Sequence, residues 1–248
     1  MSSALLVTGG SRGIGAAIVR RAAEAGWSVA FTYAADADAA RAVEAEVTGA
    51  GGRALAVRAD VANEDEMQHA FAETERAFGP LGGLVNNAGI TGGVGRLVDL
   101  ERSTLERVFA INVVGAVMCA REAVRRMSTA RGGRGGAIVN ITSRAIAYGA
   151  PDTYVHYAAS KGALEVFSLG LAREVAAEGV RVNAVSPGMI DTEIHAASGD
   201  PDRPARMLPT IPMHRMGTAD EVAEAVIWLL SPASSYCVGA TIDVGGGR

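Results

Sequence analysis

The chain has 248 residues, 49% of them hydrophobic and 20% charged, with 31 glycines and a formal net charge of -4. That length and composition fit one globular α/β domain with a sizeable core, and aromatics at only 5% leave the core to Ala, Val, Leu and Ile. The acidic balance excludes a general nucleic-acid binder, which needs a basic face.

In chain order, short apolar runs at 4–8, 28–33, 54–59, 84–86, 137–142, 181–186 and 241–244 read as strands. Their unbroken apolar character predicts burial on both faces, as in a parallel sheet. Between them, Ala/Glu/Arg-rich stretches at 13–25, 37–50, 64–78, 101–128, 154–178 and 219–230 have helical periodicity. The alternation predicts βαβ crossovers and one doubly wound α/β domain over 1–248, with helices on both faces of an approximately seven-stranded parallel sheet. Residues 131–136 (Arg-Gly-Gly-Arg-Gly-Gly) read as a flexible connection before the fifth strand. Residues 195–217 hold four of the chain's eight prolines. So long an excursion, counted from about 189 to 217, reads as a substrate-covering flap.

The first strand runs into Thr8-Gly9-Gly10-Ser11-Arg12-Gly13-Ile14-Gly15, and a helical stretch follows. Glycines allow a sharp turn and close approach of backbone to a pyrophosphate. The helix N-terminus then offers unpaired N–H groups and positive potential to the phosphates. The spacing Gly9-x-x-x-Gly13-x-Gly15 differs from the GxGxxG dinucleotide fingerprint.

Cys119 and Cys237 belong to no CxxC pattern and read as reduced thiols. His69, His156, His195 and His214 lack metal-binding spacing, so no metal site is expected. Met1-Ser2-Ser3 leads directly into the first strand. This predicts neither a signal peptide nor a membrane span, and hence a cytoplasmic location.

Further motifs follow in order: Asp60-Val61 after the third strand, Asn86-Asn87-Ala88-Gly89 after the fourth, Asn112 in the fourth helix, and Ser143 after the fifth strand. Then come Tyr157-Ala-Ala-Ser-Lys161 opening a helix, Pro187-Gly188 with Thr192, and Val244-Gly245-Gly246. Together with the glycine turn, these make the chain resemble the short-chain dehydrogenase/reductase family over essentially its whole length. The resemblance implies a Rossmann-type fold and hydride transfer between a nicotinamide cofactor and a carbonyl or alcohol. It implies cofactor contacts from Gly9, Ser11, Arg12, Gly13, Ile14, Gly15, Tyr33, Asp60, Val61, Asn86, Ala88, Gly89, Tyr157, Lys161, Pro187, Gly188, Ile190 and Thr192. One departure is Gly82, where the family has Asp, which is expected to loosen the turn before the fourth strand.

Tyr157 and Lys161 are four residues apart and share one face of a helix. Ketone reduction needs a proton donor at oxygen, and a phenol with a pKa near ~10 matches neutral pH poorly. A neighbouring ammonium favours the phenolate and corrects the mismatch. Lys161 is the chain's single lysine beside 22 arginines, and a guanidinium does not substitute for a compact, tunable ammonium. Ser143, rather than its neighbour Thr142, occupies the motif position for donating to the carbonyl oxygen. By resemblance, Lys161 also holds the nicotinamide ribose and Asn112 supports a water-linked proton relay.

Members of such folds that use NAD(H) place a carboxylate at the end of the second strand, against the ribose 2′-hydroxyl. Here that strand ends Tyr33-Ala34-Ala35, with Asp36 three residues beyond Tyr33, while Arg12 is available to a 2′-phosphate. NADP(H) is therefore expected, with NAD(H) as the alternative.

Expected substrate walls are 90–97, 144–156 and 189–215, contributing Ile146, Tyr148, Met189, Ile211 and Met213 with Arg144 and His195; His195 reads as a solvated flap residue. Arg121, Arg125, Arg126, Arg131 and Arg134 against Glu122 give a local balance of five minus one, +4. Such a patch suits an acidic carrier. Similar chains include 3-oxoacyl-carrier-protein reductases, whose carrier docks here and near Arg173, and sugar and other alcohol dehydrogenases. The substrate is thus a small-molecule or carrier-linked carbonyl. A non-enzymatic NADP(H) sensor is the reading from another class, and an enoyl reductase fits poorly with a Tyr–Lys spacing of four. By family expectation the chain is a homotetramer, packing through the small-residue helices 101–128 and 154–178 and the segment 234–246.

Overall fold

The apolar runs become seven parallel strands in the computed structural model, which describes residues 3–192 and 203–248. In chain order these are β1 (Ala4–Val7), β2 (Ser28–Tyr33), β3 (Arg53–Arg58), β4 (Leu81–Asn86), β5 (Gly136–Ile141), β6 (Val180–Pro187) and β7 (Thr241–Val244). They lie in the order β3-β2-β1-β4-β5-β6-β7, every pair parallel. The order reverses between β1 and β4, and the crevice beyond the carboxyl ends of the strands at such a switch point is where ligands bind in sheets of this kind.

Strand residues alternate between two cores. On one face Leu5, Val7, Phe31, Val139 and Ile141 pack with Ile18 and Val19 of α1 (Gly13–Glu24), against which α2 (Ala37–Gly49) also lies. On the other, Leu6, Leu84, Ile138 and Val182 meet Met67 and Phe71 of α3 (Glu64–Phe78).

The predicted helix 101–128 is interrupted. α4 (Arg102–Phe109) passes through a π-helical turn, Ala110–Gly115, into α5 (Ala116–Met127). Gly115, at the end of that turn, lets the helix come close to the Val61 main chain, where a Cβ would stand 2.6 Å from the Val61 carbonyl oxygen. By length and composition the run Arg102–Met127 is apolar enough to cross a membrane. Here Cys119, Ala120, Ala123 and Met127 are buried in the second core.

The remaining helices are a single turn α6 (Ala145–Tyr148), α7 (Val155–Val175), a short helix Arg203–Met207, and α8 (Ala219–Leu230). Val222 and Val226 of α8 join the α1 core. Thr218 and Glu221 close a capping box at the start of α8. At its other end Arg181 of β6 donates to the carbonyl oxygens of Leu229, Ser231 and Ser234 and to Ser234 Oγ at 2.9–3.2 Å. A guanidinium thus satisfies the oxygens that a helix C-terminus leaves unpaired.

One expectation needs correction. Gly82 does not loosen a turn: it lies inside β4, at a register irregularity between β1 and β4. Ser3 Cβ stands 2.8 Å from where its Cβ would be, so a larger residue has no room. The 131–136 segment takes a defined backbone path. A 3-10 turn, Thr129–Arg131, leads through left-handed Gly132 and Gly135 into β5.

Candidate active site

The phosphate loop is tied down on both sides. Gly9 N–H donates to Thr32 Oγ1 and Gly10 N–H to the Thr32 carbonyl oxygen. Thr8 Oγ1 accepts from the N–H groups of Asn87 and Ala88, and Asn87 Nδ2 donates to the carbonyls of Thr8 and Gly9. Gly9 and Gly13 have φ of 66° and 52°, where glycine is favoured. A Cβ on Gly15 would lie 2.1 Å from the Gly9 oxygen, so that position must be glycine.

The loop delivers the start of α1 with no side-chain cap and no acid in its first turn. Ser11 is half-buried, Arg12 exposed, and Ile14 packs on the α1 core. Thr192 sits over the same opening, its Cγ2 3.5 Å from the position a Gly13 Cβ would take. A helix end without an acid, beneath glycines that admit close approach, fits a dinucleotide pyrophosphate.

Beside the glycine turn, Tyr33 closes β2 half-buried, and Asp36 uses its carboxylate to cap α2, accepting from Ala39 N–H at 2.9 Å. Arg58, which sequence reasoning missed, pairs in register with Tyr33, and its Nε comes within 3.5 Å of the Ala34 carbonyl. Neither Arg12 nor Arg58 is ion-paired among the described residues. Asp60 caps the Ala62 N–H at 3.0 Å and pairs with Arg107 at 2.6 Å. Partial burial pushes its carboxyl upward, but Arg107 and the Ala62 N–H outweigh this and hold it below the usual carboxylate range. Val61, its neighbour, is buried.

Asn86 turns its carboxamide into the core, so only its main chain faces the crevice. Ala88 abuts Gly9, and Gly89 faces Lys161 and Asn112: a Cβ on Gly89 would lie 3.2 Å from Lys161 Nζ and 3.3 Å from Asn112 Oδ1. On the far side Gly188 N–H donates to the Val244 carbonyl and Pro187 accepts from Arg144 N–H. Ile190 is buried and bridges to Gly217.

Tyr157 and Lys161 lie in the first turns of α7 as the spacing predicts. Lys161 is 4% exposed, its Nζ donates to the Ile141 carbonyl at 2.7 Å, and it stands 5.9 Å from the centroid of the Tyr157 ring. Burial pushes its amine down to about 8. The Tyr157 ring is braced edge-on by Tyr154, with centroids 5.2 Å apart.

Ser143 is half-buried and its Oγ accepts from Ala145 N–H at 3.1 Å, an arrangement that leaves the hydroxyl proton to donate. Thr142 instead is buried and donates its hydroxyl to the Val185 carbonyl. Asn112 lies in the π turn, fully buried. Its Oδ1 accepts from Ile90 N–H, and its Nδ2 donates to the Ile90 carbonyl and to Ser160 Oγ, at 2.9–3.0 Å. Its side chain therefore joins the Asn-Asn-Ala-Gly loop to α7. Ser160 in turn donates to the Tyr157 carbonyl at 2.7 Å.

The expected substrate walls hold together, since Gly95 N–H donates to the Thr153 carbonyl and His156 Nε2 is 2.9 Å from the Thr91 carbonyl oxygen. Their lining differs from expectation. Ile211 is 2% exposed and packs under Gly246, which withdraws it from the surface. Arg144 is held by Asp243 and the Arg248 carbonyl. Ile190 and Gly217, near the two ends of the 189–217 segment, are joined by a parallel bridge. His195 and the rest of 193–202 lie outside the described residues.

The arginine patch is not a free +4 surface. Arg121 pairs with Glu64 at 2.5 Å, Arg126 with Glu75 at 3.1 Å and with Glu122, and Arg125 with Glu122 at 3.4 Å. Two of these acids come from α3.

A doubly wound sheet that bares a helix N-terminus beside a tyrosine and a buried lysine is built for nicotinamide chemistry, which makes this a nucleotide-dependent oxidoreductase by class. A family model described as enoyl-(acyl carrier protein) reductase matches residues 9–248. The chain is 47% identical over 243 residues to the uncharacterized oxidoreductase YgfF of Escherichia coli strain K12, covering 98% of each. It is 37% identical over 247 residues to the 3-oxoacyl-acyl-carrier-protein reductase FabG of Staphylococcus epidermidis, covering 100% of this chain and 99% of that one.

Among solved structures, a doubly substituted mutant of a Serratia marcescens short-chain dehydrogenase/reductase matches with a TM-score of 0.89 and 39% identity, covering 99% of this chain and 97% of that one. A blue fluorescent protein from a metagenomic library, in complex with NADPH, matches with a TM-score of 0.90 and 35% identity, covering 99% and 98%. The chain belongs to the short-chain dehydrogenase/reductase family and is an NAD(P)-dependent oxidoreductase.

Proposed function

We propose that the chain reduces a ketone, or oxidises the matching secondary alcohol, with NADP(H) as preferred cofactor and a 3-oxoacyl thioester or similar ketone as substrate. The observation that carries this reading is the buried Lys161 ammonium, held by Ile141 beside the Tyr157 ring. Ser143 donates to the substrate oxygen and holds the carbonyl in place. Tyr157 transfers its phenolic proton to that oxygen as the carbonyl carbon is reduced. Lys161 stabilises the phenolate left behind, an effect amplified by its water-poor surroundings. Asn112 holds the Tyr157–Lys161 turn through Ser160 and stands beside the relay that returns the proton. NADPH, when bound, supplies the hydrogen and two electrons added to carbon and leaves as NADP+.

For the cofactor, Gly9, Gly13 and Gly15 with the open α1 terminus suit the pyrophosphate, and Arg12 and Arg58 suit a 2′-phosphate. No acid stands at the end of β2 to repel it, and Asp36 is engaged as a cap. The relative in complex with NADPH agrees with this choice.

For the substrate, relatives named as 3-oxoacyl reductases favour the thioester, whereas the ion-paired Arg121–Arg126 region weakens the argument from a carrier. Oxidation of a sugar or another alcohol is the second reading, favoured by that neutralisation and by the 149–157 segment. The four-residue Tyr–Lys spacing favours carbonyl over enoyl reduction despite the family model's description. Retention of all four catalytic side chains argues against a non-enzymatic sensor.

The flap over 189–217 is read as the substrate cover. A homotetramer is supported by apolar side chains left exposed on α7 (Val166, Leu169) and near the chain's end (Trp228, Tyr236, Val238). Two unpaired thiols, Cys119 and Cys237, suit a cytoplasmic location.

The test is NADPH consumption by the purified protein with an acetoacetyl thioester. Turnover lost in Tyr157→Phe supports the 3-oxoacyl reading. Absence of turnover, with activity instead on secondary alcohols and NADP+, moves the substrate to the second reading.

A further inference from the structure

Three buried polar side chains stand in a row beneath α7. Asn86 Nδ2 donates to Asn140 Oδ1 at 2.9 Å and to the Ala116 carbonyl at 3.0 Å. Asn140 Nδ2 donates to Ser168 Oγ at 2.7 Å, and Ser168 Oγ donates to the Leu164 carbonyl at 2.7 Å. All three residues are at most 3% exposed. The row starts at the first residue of α5, directly after the π turn that carries Asn112, crosses β4 and β5, and ends on α7.

Apolar residues of similar volume would fill this layer without the cost of burying amides and a hydroxyl. What hydrogen bonds add is direction. Apolar packing tolerates small rotations of a helix, whereas a short bond between two buried groups fixes both its distance and its angle.

The placement matters because of what adjoins it. Ser168 follows Lys161 by seven residues, about two helical turns, so both lie on one stripe of α7. Asn140 immediately precedes Ile141. Two consecutive residues of β5 therefore grip α7 at two heights: Ile141 takes Lys161, and Asn140 takes Ser168.

We propose that Asn140 and Ser168 are positioning residues that fix the rotation of α7 over β5, and so the spacing between the Tyr157 hydroxyl and the Lys161 ammonium. Asn86 extends the same register to α5 and the Asn112 turn. This rests on the Tyr157–Lys161 reading of the site.

The test follows the ultraviolet titration of Tyr157 in the full chain, isolated by subtracting the titration of Tyr157→Phe. It requires no knowledge of the substrate. Tyr157 and Lys161 titrate as a coupled pair; in Ser168→Ala the ammonium is no longer held in register, and the lower Tyr157 midpoint, reached while Lys161 still holds its proton, rises by about half a pH unit or more. Ser168→Thr, which keeps the hydroxyl, restores it. Thr74→Val serves as control, since it removes a buried hydroxyl bonded to its own helix on α3, away from this row. Should Ser168→Ala fail to fold, Ser168→Cys keeps a weaker donor and acceptor and shifts the midpoint in the same direction.

An unmoved midpoint in Ser168→Ala, or an equal shift in Thr74→Val, overturns the proposal. The underlying reading fails separately. If Lys161→Met leaves the Tyr157 midpoint where it is in the parent chain, the two residues are not coupled and the positioning role falls with them.

Discussion

Lys161 Nζ donates to the Ile141 main-chain oxygen across 2.7 Å, and no carboxylate pairs with it among the described residues. A strand-end dipole alone is a weak substitute for water, and burial lowers the amine from 10.5 to about 8. Between those values the unfolded chain keeps a proton that the native protein has released. Unfolding free energy therefore rises with pH across this window. Relative to Lys161→Met, which cannot titrate, the parent chain is expected to gain about 3 kcal/mol between pH 7 and pH 10.5. Urea unfolding of both proteins at the two ends of the range measures this, and a pH-independent difference would contradict the burial argument.

Tyr157→Phe removes one hydroxyl from a half-buried ring whose brace against Tyr154 remains. Turnover is expected to fall by roughly three orders of magnitude with the loss of the proton donor. NADPH affinity should stay within about twofold, because the phenol hydroxyl contributes little to cofactor binding compared with the phosphate loop. Steady-state rates and a fluorescence titration of NADPH separate the two effects. Lost binding with retained folding would make Tyr157 a binding residue instead.

Arg12→Ala and Arg58→Ala are each expected to weaken NADPH binding about tenfold while leaving NADH within about twofold, since only NADPH carries the 2′-phosphate. Calorimetric titration of both cofactors checks this. Equal weakening of both would place the two guanidinium groups elsewhere on the nucleotide.

Arg181→Met leaves the last carbonyls of α8 without their donor at a partly buried site. A loss of about 3 kcal/mol in stability is expected, with catalysis unchanged at temperatures where the variant is folded. Thermal unfolding followed by circular dichroism, with activity measured well below the transition, distinguishes this from a role in the site.

Seven strands were legible because each is a run of apolar residues, and a two-faced parallel sheet demands that pattern. Where β4 starts was not. Gly82 and Gly83 carry no side-chain signal, and only the contact with Ser3 shows why Gly82 is a glycine. The π turn was hidden as well: Ala-Ile-Asn-Val-Val-Gly continues the helical pattern, and the departure is in the backbone bonding rather than in residue type.

Tyr157 and Lys161 could be placed on one helix, and Ser143 just beyond a strand, because motif spacing and strand ends locate them. Arg58 was missed because its nearness to the end of β2 depends on the β2–β3 register, which pairs it with Tyr33. The pairing within the arginine patch was hidden for the same reason. Arg121 meets Glu64 across 57 positions of chain, too far apart for a local charge count to detect.

The rarity of lysine has a practical consequence. Because Lys161 is the only one in the sequence, feeding isotopically labelled lysine to an expressing culture places one side-chain ammonium label in the whole molecule. That group touches Ile141 and faces Gly89 at the point where the strand ends, α7 and the crevice at the switch point converge. A single magnetic-resonance signal, free of overlap and needing no engineered probe, would then report protonation and ligand arrival at the centre of the enzyme.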